Sequence, residues 1–178
     1  MNVIIVFESK HGSTRSIAEA VGDELRNGGL DVTIVDADAA TISLDGYDAA
    51  VIGSAVYVGR WMKGARAFLQ INHESLRKMP LWLFSSGPVG NGSERPDDLA
   101  DVRAFADDVH ARDHRVFAGR LDKAGLSIAE RAAIRLVHAP YGDARDWDEI
   151  RSWAETIATE LTAPLSSTAK PTSTTAPL

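Results

Sequence analysis

The sequence predicts an α/β fold, a parallel sheet covered by helices on both faces. Three observations predict it. Strand-like and helix-like patterns alternate along the 178 residues. The first apolar run, Val3-Ile4-Ile5-Val6-Phe7, is nearly unbroken, as in a strand buried on both faces. It leads through a short loop of glycine and hydroxyl residues straight into an amphipathic helix, the opening of a β–α–β unit.

Residues 2–7 are the first strand. From Thr14 onward, Ile17, Ala18, Val21 and Leu25 share one side, while Arg15, Glu19, Asp23 and Arg26 take the other. That spacing predicts a helix, stopped by Gly28-Gly29. Residues 32–35 read as the second strand. Residues 49–57 read as the third, running on into a loop. Ala65, Phe68, Leu69 and Leu76 mark one helix that ends before Pro80. Residues 81–84 are the fourth strand, followed by a Gly/Pro-rich loop over 85–92. Leu99, Val102, Phe105, Ala106 and Val109 predict the next helix, with Pro96, Asp97 and Asp98 suited to its first turn. Residues 115–121 are the fifth strand. An excursion over 122–145 holds a short helix that starts with a capping box, Ser127 and Glu130. The last helix starts at Asp146, with Glu149 three residues on. Its apolar face is Trp147, Ile150, Ala154, Ile157 and Leu161. Residues 1–162 make one domain. Residues 163–178 are mostly Ser, Thr, Pro and Ala, and a disordered tail is expected there.

Composition removes several classes of function. The formal net charge is -6, which disfavours a nucleic-acid binder. There is no cysteine, so disulfides, thiol chemistry and Cys-ligated metal are excluded. Redox chemistry would have to come from a cofactor. No apolar run reaches membrane-span length and no signal peptide is visible. A cytoplasmic protein without an integral membrane segment is expected.

In an open parallel sheet, ligands bind beyond the carboxyl ends of the strands. Three loops leave the predicted strands there. Ser9-Lys10-His11-Gly12-Ser13-Thr14 opens a helix and offers backbone N–H groups and hydroxyls to an anion. Ser54-Ala55-Val56-Tyr57-Val58-Gly59-Arg60-Trp61 offers two aromatic faces, Tyr57 and Trp61. Ser85-Ser86-Gly87-Pro88-Val89-Gly90-Asn91 permits close backbone approach. A phosphate, a spacer and a planar ring fit these in turn, which points to a flavin mononucleotide. The triphosphatase P-loop spacing and the G-x-G-x-x-G fingerprint are both absent after the first strand. A receiver domain would need clustered carboxylates, where Glu8 stands nearly alone. No convincing acid–base residue is visible. His11 is the best placed, and His73, His110, His114 and His138 read as surface residues in helices or at their ends. Arg60 reads as a solvated arginine, or as a group that greets an anionic substrate such as a porphyrin propionate.

The hydroxyl-x-x-Gly-x-Thr pattern of Ser9 to Thr14 resembles the phosphate loop of the flavodoxin family, and the resemblance runs over roughly residues 1–161. Within it, the chain is similar to flavodoxin-domain proteins related to menaquinone-dependent protoporphyrinogen oxidase. The shared points are Tyr47-Asp48, Ile52-Gly53-Ser54 with Gly59, Ala118-Gly119, and Asp146-Trp147 after the excursion. The resemblance implies a flavodoxin-like three-layer α/β/α sandwich, with a five-stranded parallel sheet of order 2-1-3-4-5. It implies noncovalent FMN, with the phosphate against Ser9, Lys10, His11, Gly12, Ser13 and Thr14. The ring would sit between the second loop (Ser54, Ala55, Val56, Tyr57, Val58, Gly59, Trp61) and the third (Ser86, Gly87, Pro88, Val89, Gly90). The chain departs from the family in two ways. Its charge is mild for a dedicated electron carrier, and its 126–138 segment is short, reading as a helix packed on its own domain. The function expected is an FMN-dependent oxidoreductase acting on a small substrate such as a quinone or a protoporphyrinogen. The alternatives are an electron carrier serving a partner protein and a flavin-free interaction module.

Overall fold

The computed structural model describes residues 1–37, 42–57, 59–87, 99–121 and 142–163. The parallel strands are β1 (Asn2–Glu8), β2 (Asp31–Asp36), β3 (Ala49–Tyr57), β5 (Leu81–Gly87) and β6 (Asp113–Ala118). They lie in the order β2-β1-β3-β5-β6, which is the expected 2-1-3-4-5 arrangement of the five parallel strands. A sixth strand, β4 (Arg60–Trp61), folds back antiparallel on β3, pairing Val56 with Trp61 and Tyr57 with Arg60. A separate ribbon joins β7 (Arg120–Leu121) to β8 (Gly142–Asp143).

Side chains alternate across the sheet with a period of two. Val3, Ile5 and Phe7 enter a core beneath α1 (Ser13–Asn27) and the last helix, α5 (Trp147–Thr162). That core is closed by Trp82, Phe84, Phe117 and Trp153. Phe117 and Trp153 meet edge to face at 5.4 Å between centroids, a favoured aromatic geometry. Ile4 and Val6 enter the other core with Ile52, Leu81 and Leu83. It is covered by α2 (Lys63–Ile71), α3 (His73–Leu76) and α4 (Ala100–Asp108). Both faces of β1 are therefore buried, as its unbroken apolar run requires.

Several boundaries differ from the sequence reading for local reasons. The predicted 65–76 helix is two helices, separated at Asn72, whose side-chain amide bonds the Phe68 carbonyl at 3.0 Å. The fifth strand stops at Ala118, and residues 120–121 leave the sheet for the ribbon. The break falls at Gly119, where a Cβ would sit 2.4 Å from the Gly87 carbonyl oxygen, so only glycine fits. The last helix is capped as expected: Asp146 Oδ1 accepts the Asp148 and Glu149 amides at 3.1 and 2.9 Å. The 96–98 helix start, the 127–130 capping box, His138, and residues 164–178 of the expected tail lie outside the described residues, as do Val58, Pro88, Val89 and Gly90.

Candidate phosphate and ring site

All five parallel strands point their carboxyl ends to one edge, where α1 and α2 also begin. At α1 the usual devices for satisfying a helix start are missing. Gly12 precedes it with φ at 81°, a left-handed conformation that favours glycine. No side chain caps the helix, and its first turn holds no acidic residue. The first-turn amides have no intrahelical acceptor by construction, and they form the positive end of the helix dipole.

Two hydroxyls beside this helix start are buried without any hydrogen-bond partner, Ser9 Oγ and Thr14 Oγ1. Thr14 is 0% exposed. Buried polar atoms are nearly always bonded, and a pair of orphans at an uncapped helix start is an arrangement that an anion would satisfy. The rest of the loop is fixed from within the fold. Ser16 returns both its amide and its hydroxyl to the Gly12 carbonyl at 3.1 Å. Ser13 Oγ accepts the Arg120 amide at 2.9 Å, tying the loop to the β7–β8 ribbon. A tetrahedral dianion suits these donors, so the residues present fit the phosphate end of FMN.

The second loop meets the first through Tyr57, which is 38% exposed. Lys10 Nζ lies 5.4 Å from the Tyr57 ring centroid, and the His11 ring lies 6.4 Å away. Ser54 is engaged in shaping the hairpin: its hydroxyl donates to the Ala55 carbonyl at 2.9 Å and accepts the Met62 amide at 3.0 Å. Ala55 and Val56 are half-buried, and Gly59 makes the turn with φ at 71°. Trp61 corrects the expectation that it offers a face to a ring. It is 2% exposed, and its indole N–H donates to Ser85 Oγ at 2.8 Å. An indole packed with Ile52, Ala65 and Leu83 serves the core. Tyr57 is thus the open aromatic surface of this loop.

At the third loop, Ser86 is buried and Gly87 half-buried at the end of β5. Gly119 presses on this segment from just beyond β6. His114 is a second correction. It lies on β6 rather than in a helix, half-buried, with Nε2 2.9 Å from Ser85 Oγ. Burial, with the Arg103 charge beside it, pushes its imidazole down to about 4.

Two features of the edge escaped sequence reading. Glu8 is buried, and its Oε2 accepts the Ala65 amide at 2.6 Å. It caps α2 from β1, and a cap 57 residues away in sequence has no local signature. The Trp61–Ser85–His114 contacts are equally non-local. At the opposite edge, a cleft of about 550 Å³ is lined by Asn2, Arg26, Thr33 and Tyr47 among others. None of the orphaned atoms belongs to its lining, and Arg26 is already bonded to Asp23 and to the Val32 carbonyl. Among the described residues, no three His, Asp or Glu side chains converge as a metal site, and no helix is long and apolar enough to cross a membrane.

Comparison with known proteins places this architecture. The chain is 27% identical over 177 residues to protoporphyrinogen IX dehydrogenase (quinone) of Escherichia coli, covering 89% of this chain and 95% of that protein. Among solved structures, a flavodoxin from the domain Archaea superposes with a TM-score of 0.59 at 15% identity, over 92% of this chain and 100% of that one. The rubredoxin oxygen:oxidoreductase of the anaerobe Desulfovibrio gigas gives 0.62 at 19% identity, over 93% of this chain and 37% of that one. The sheet order is that of flavodoxins, and the family model described as "Flavodoxin domain" matches residues 4–148: the chain belongs to the flavodoxin domain family.

Proposed function

We propose that this protein binds FMN noncovalently and works as an oxidoreductase on a small organic acceptor or donor of the quinone or porphyrinogen type. The observation that carries the reading is the pair of buried, unpartnered hydroxyls, Ser9 and Thr14, at the uncapped start of α1. FMN, when bound, supplies the electron or hydride transfer. Ser9 and Thr14 donate their hydroxyl hydrogens to phosphate oxygens, and the first-turn amides of α1 add further donors. Lys10 supplies positive charge at the mouth. Tyr57 gives the ring an apolar face next to that charge. Ser54 holds the hairpin that presents Tyr57. The likeness to the Escherichia coli dehydrogenase over most of both chains supports an enzyme of that kind.

The visible spectrum of the purified protein, before and after incubation with FMN and removal of excess, tests this. A retained, structured flavin band is expected, followed by turnover of a quinone in the absence of any partner protein. A protein that takes up no FMN refutes the reading. Bound FMN without quinone or porphyrinogen turnover leaves an electron carrier in place of the enzyme.

A further inference from the structure

Ser85 stands where three elements meet. Its side chain is 0% exposed. The hydroxyl accepts the Trp61 indole N–H at 2.8 Å and lies 2.9 Å from His114 Nε2. Trp61 and His114 also touch edge to face, with centroids 6.3 Å apart. Trp61 closes the hairpin that carries Tyr57. Ser85 lies two residues before Gly87, where β5 ends. His114 belongs to the edge strand β6. A hydroxyl has one hydrogen. With Trp61 donating to it, Ser85 keeps that hydrogen available for Nε2 of a neutral, Nδ1-protonated imidazole. Burial and Arg103 favour that neutral form. Further along, the β5 end meets Gly119, whose backbone leaves no room for a Cβ against the Gly87 carbonyl. The end of β5 is thus held at two points.

We propose that Ser85 and His114 are positioning residues for the flavin ring, acting through the chain Trp61–Ser85–His114, which sets the separation between the Tyr57 hairpin and the end of β5. The proposal rests on the FMN reading above and adds residues that touch neither the phosphate loop nor, by this reasoning, the flavin. A hydroxyl chain between two loops matters for a ligand part that lies between them. It does not matter for a phosphate held at α1.

The test is a fluorescence titration with FMN and with riboflavin, which lacks the phosphate, on wild type, Ser85→Ala, His114→Leu and His114→Gln. Ser85→Ala and His114→Leu should weaken both ligands by about five- to tenfold, the value of one lost hydrogen bond, and shift the bound flavin's visible band. His114→Gln keeps an acceptor for Ser85 and should stay within about twofold of wild type. Should His114→Leu fail to fold, Ser85→Ala decides. A folded Ser85→Ala protein with unchanged affinities and visible band overturns the proposal, even if its melting temperature falls. Loss confined to FMN, with riboflavin unaffected, overturns it too. Wild type that takes up neither ligand defeats the FMN reading itself, before any variant is compared.

Discussion

Replacing Thr14 with valine separates two effects that usually travel together. The Thr14 side chain is 0% exposed and its Oγ1 has no partner. An unsatisfied buried hydroxyl costs about 1 to 3 kcal/mol. Valine keeps the shape and the β-branch, so helix propensity changes little. The ligand-free protein should therefore become more stable by about 1 kcal/mol, which for a chain of this size raises the melting temperature by about 2 to 4 °C. FMN binding should suffer in the opposite sense. Losing a hydrogen bond to a charged phosphate removes about 1.5 to 3 kcal/mol, or roughly 10- to 150-fold in the dissociation constant. At a fixed excess of FMN, the ligand's stabilisation shrinks by the same energy. Calorimetry on Thr14→Val should therefore show the free protein melting higher than wild type and the FMN-loaded protein melting lower. A free protein that melts several degrees lower, together with an FMN constant within about twofold of wild type, refutes the assignment of Oγ1 to the phosphate.

Four further outcomes are expected. Gly119→Ala places a Cβ 2.4 Å from the Gly87 carbonyl oxygen and should cost about 1 to 3 kcal/mol in urea unfolding while weakening FMN; a neutral result refutes the close approach. Glu8→Ala leaves the Ala65 amide buried without its acceptor and should cost about 2 kcal/mol by the same assay, with Glu8→Gln recovering part of it. Trp153→Phe deletes the indole bond to Asp113 Oδ2 at 2.9 Å and should cost about 1 kcal/mol, with no change in the FMN constant. The His114 imidazole titrates at about 4 in the folded chain, against an ordinary 6.5. Between those values the unfolded chain binds the extra proton, so this group's contribution is complete above pH 6.5 and is lost as pH falls toward 4. His114→Gln should flatten that part of the stability profile by about 2 kcal/mol, allowing for partial exposure. His73, held up by its bond to Asp108, has the opposite sign and is common to both proteins, so the difference isolates His114. Equal slopes for variant and wild type would refute the assignment.

What the sequence revealed was whatever is written in neighbouring residues. The unbroken run of β1, the α1 stripe of Ile17, Ala18, Val21 and Leu25, and the Asp146 cap each depend on spacing within a turn or two, and each is found in the structure. The loop from Ser9 to Thr14 between β1 and α1 was legible for the same reason, being one contiguous stretch. The misses lie where residues far apart meet. Trp61 read as an exposed aromatic because its hydrogen-bond partner, Ser85, is 24 residues on. His114 read as a surface histidine because nothing nearby announces that it pairs with Ser85 across the sheet. The two-residue strand β4 and the β7–β8 ribbon are too short for any periodicity to mark. The helix break at Asn72 arises from one side-chain amide, which pattern reading treats as an ordinary polar residue.

The unequal treatment of the two helix starts gives the sheet edge a direction. α1 begins bare, with two unpartnered hydroxyls beside it, whereas α2 begins with the Glu8 carboxyl group already seated at its Ala65 amide. Both dipoles attract anions, but one is already answered by a carboxyl oxygen from within the fold. In the FMN reading proposed above, a phosphate would therefore find open donors at α1 and an already occupied amide at α2. The FMN reading proposed above thus puts the phosphate at α1, the helix start that receives no carboxylate from the fold.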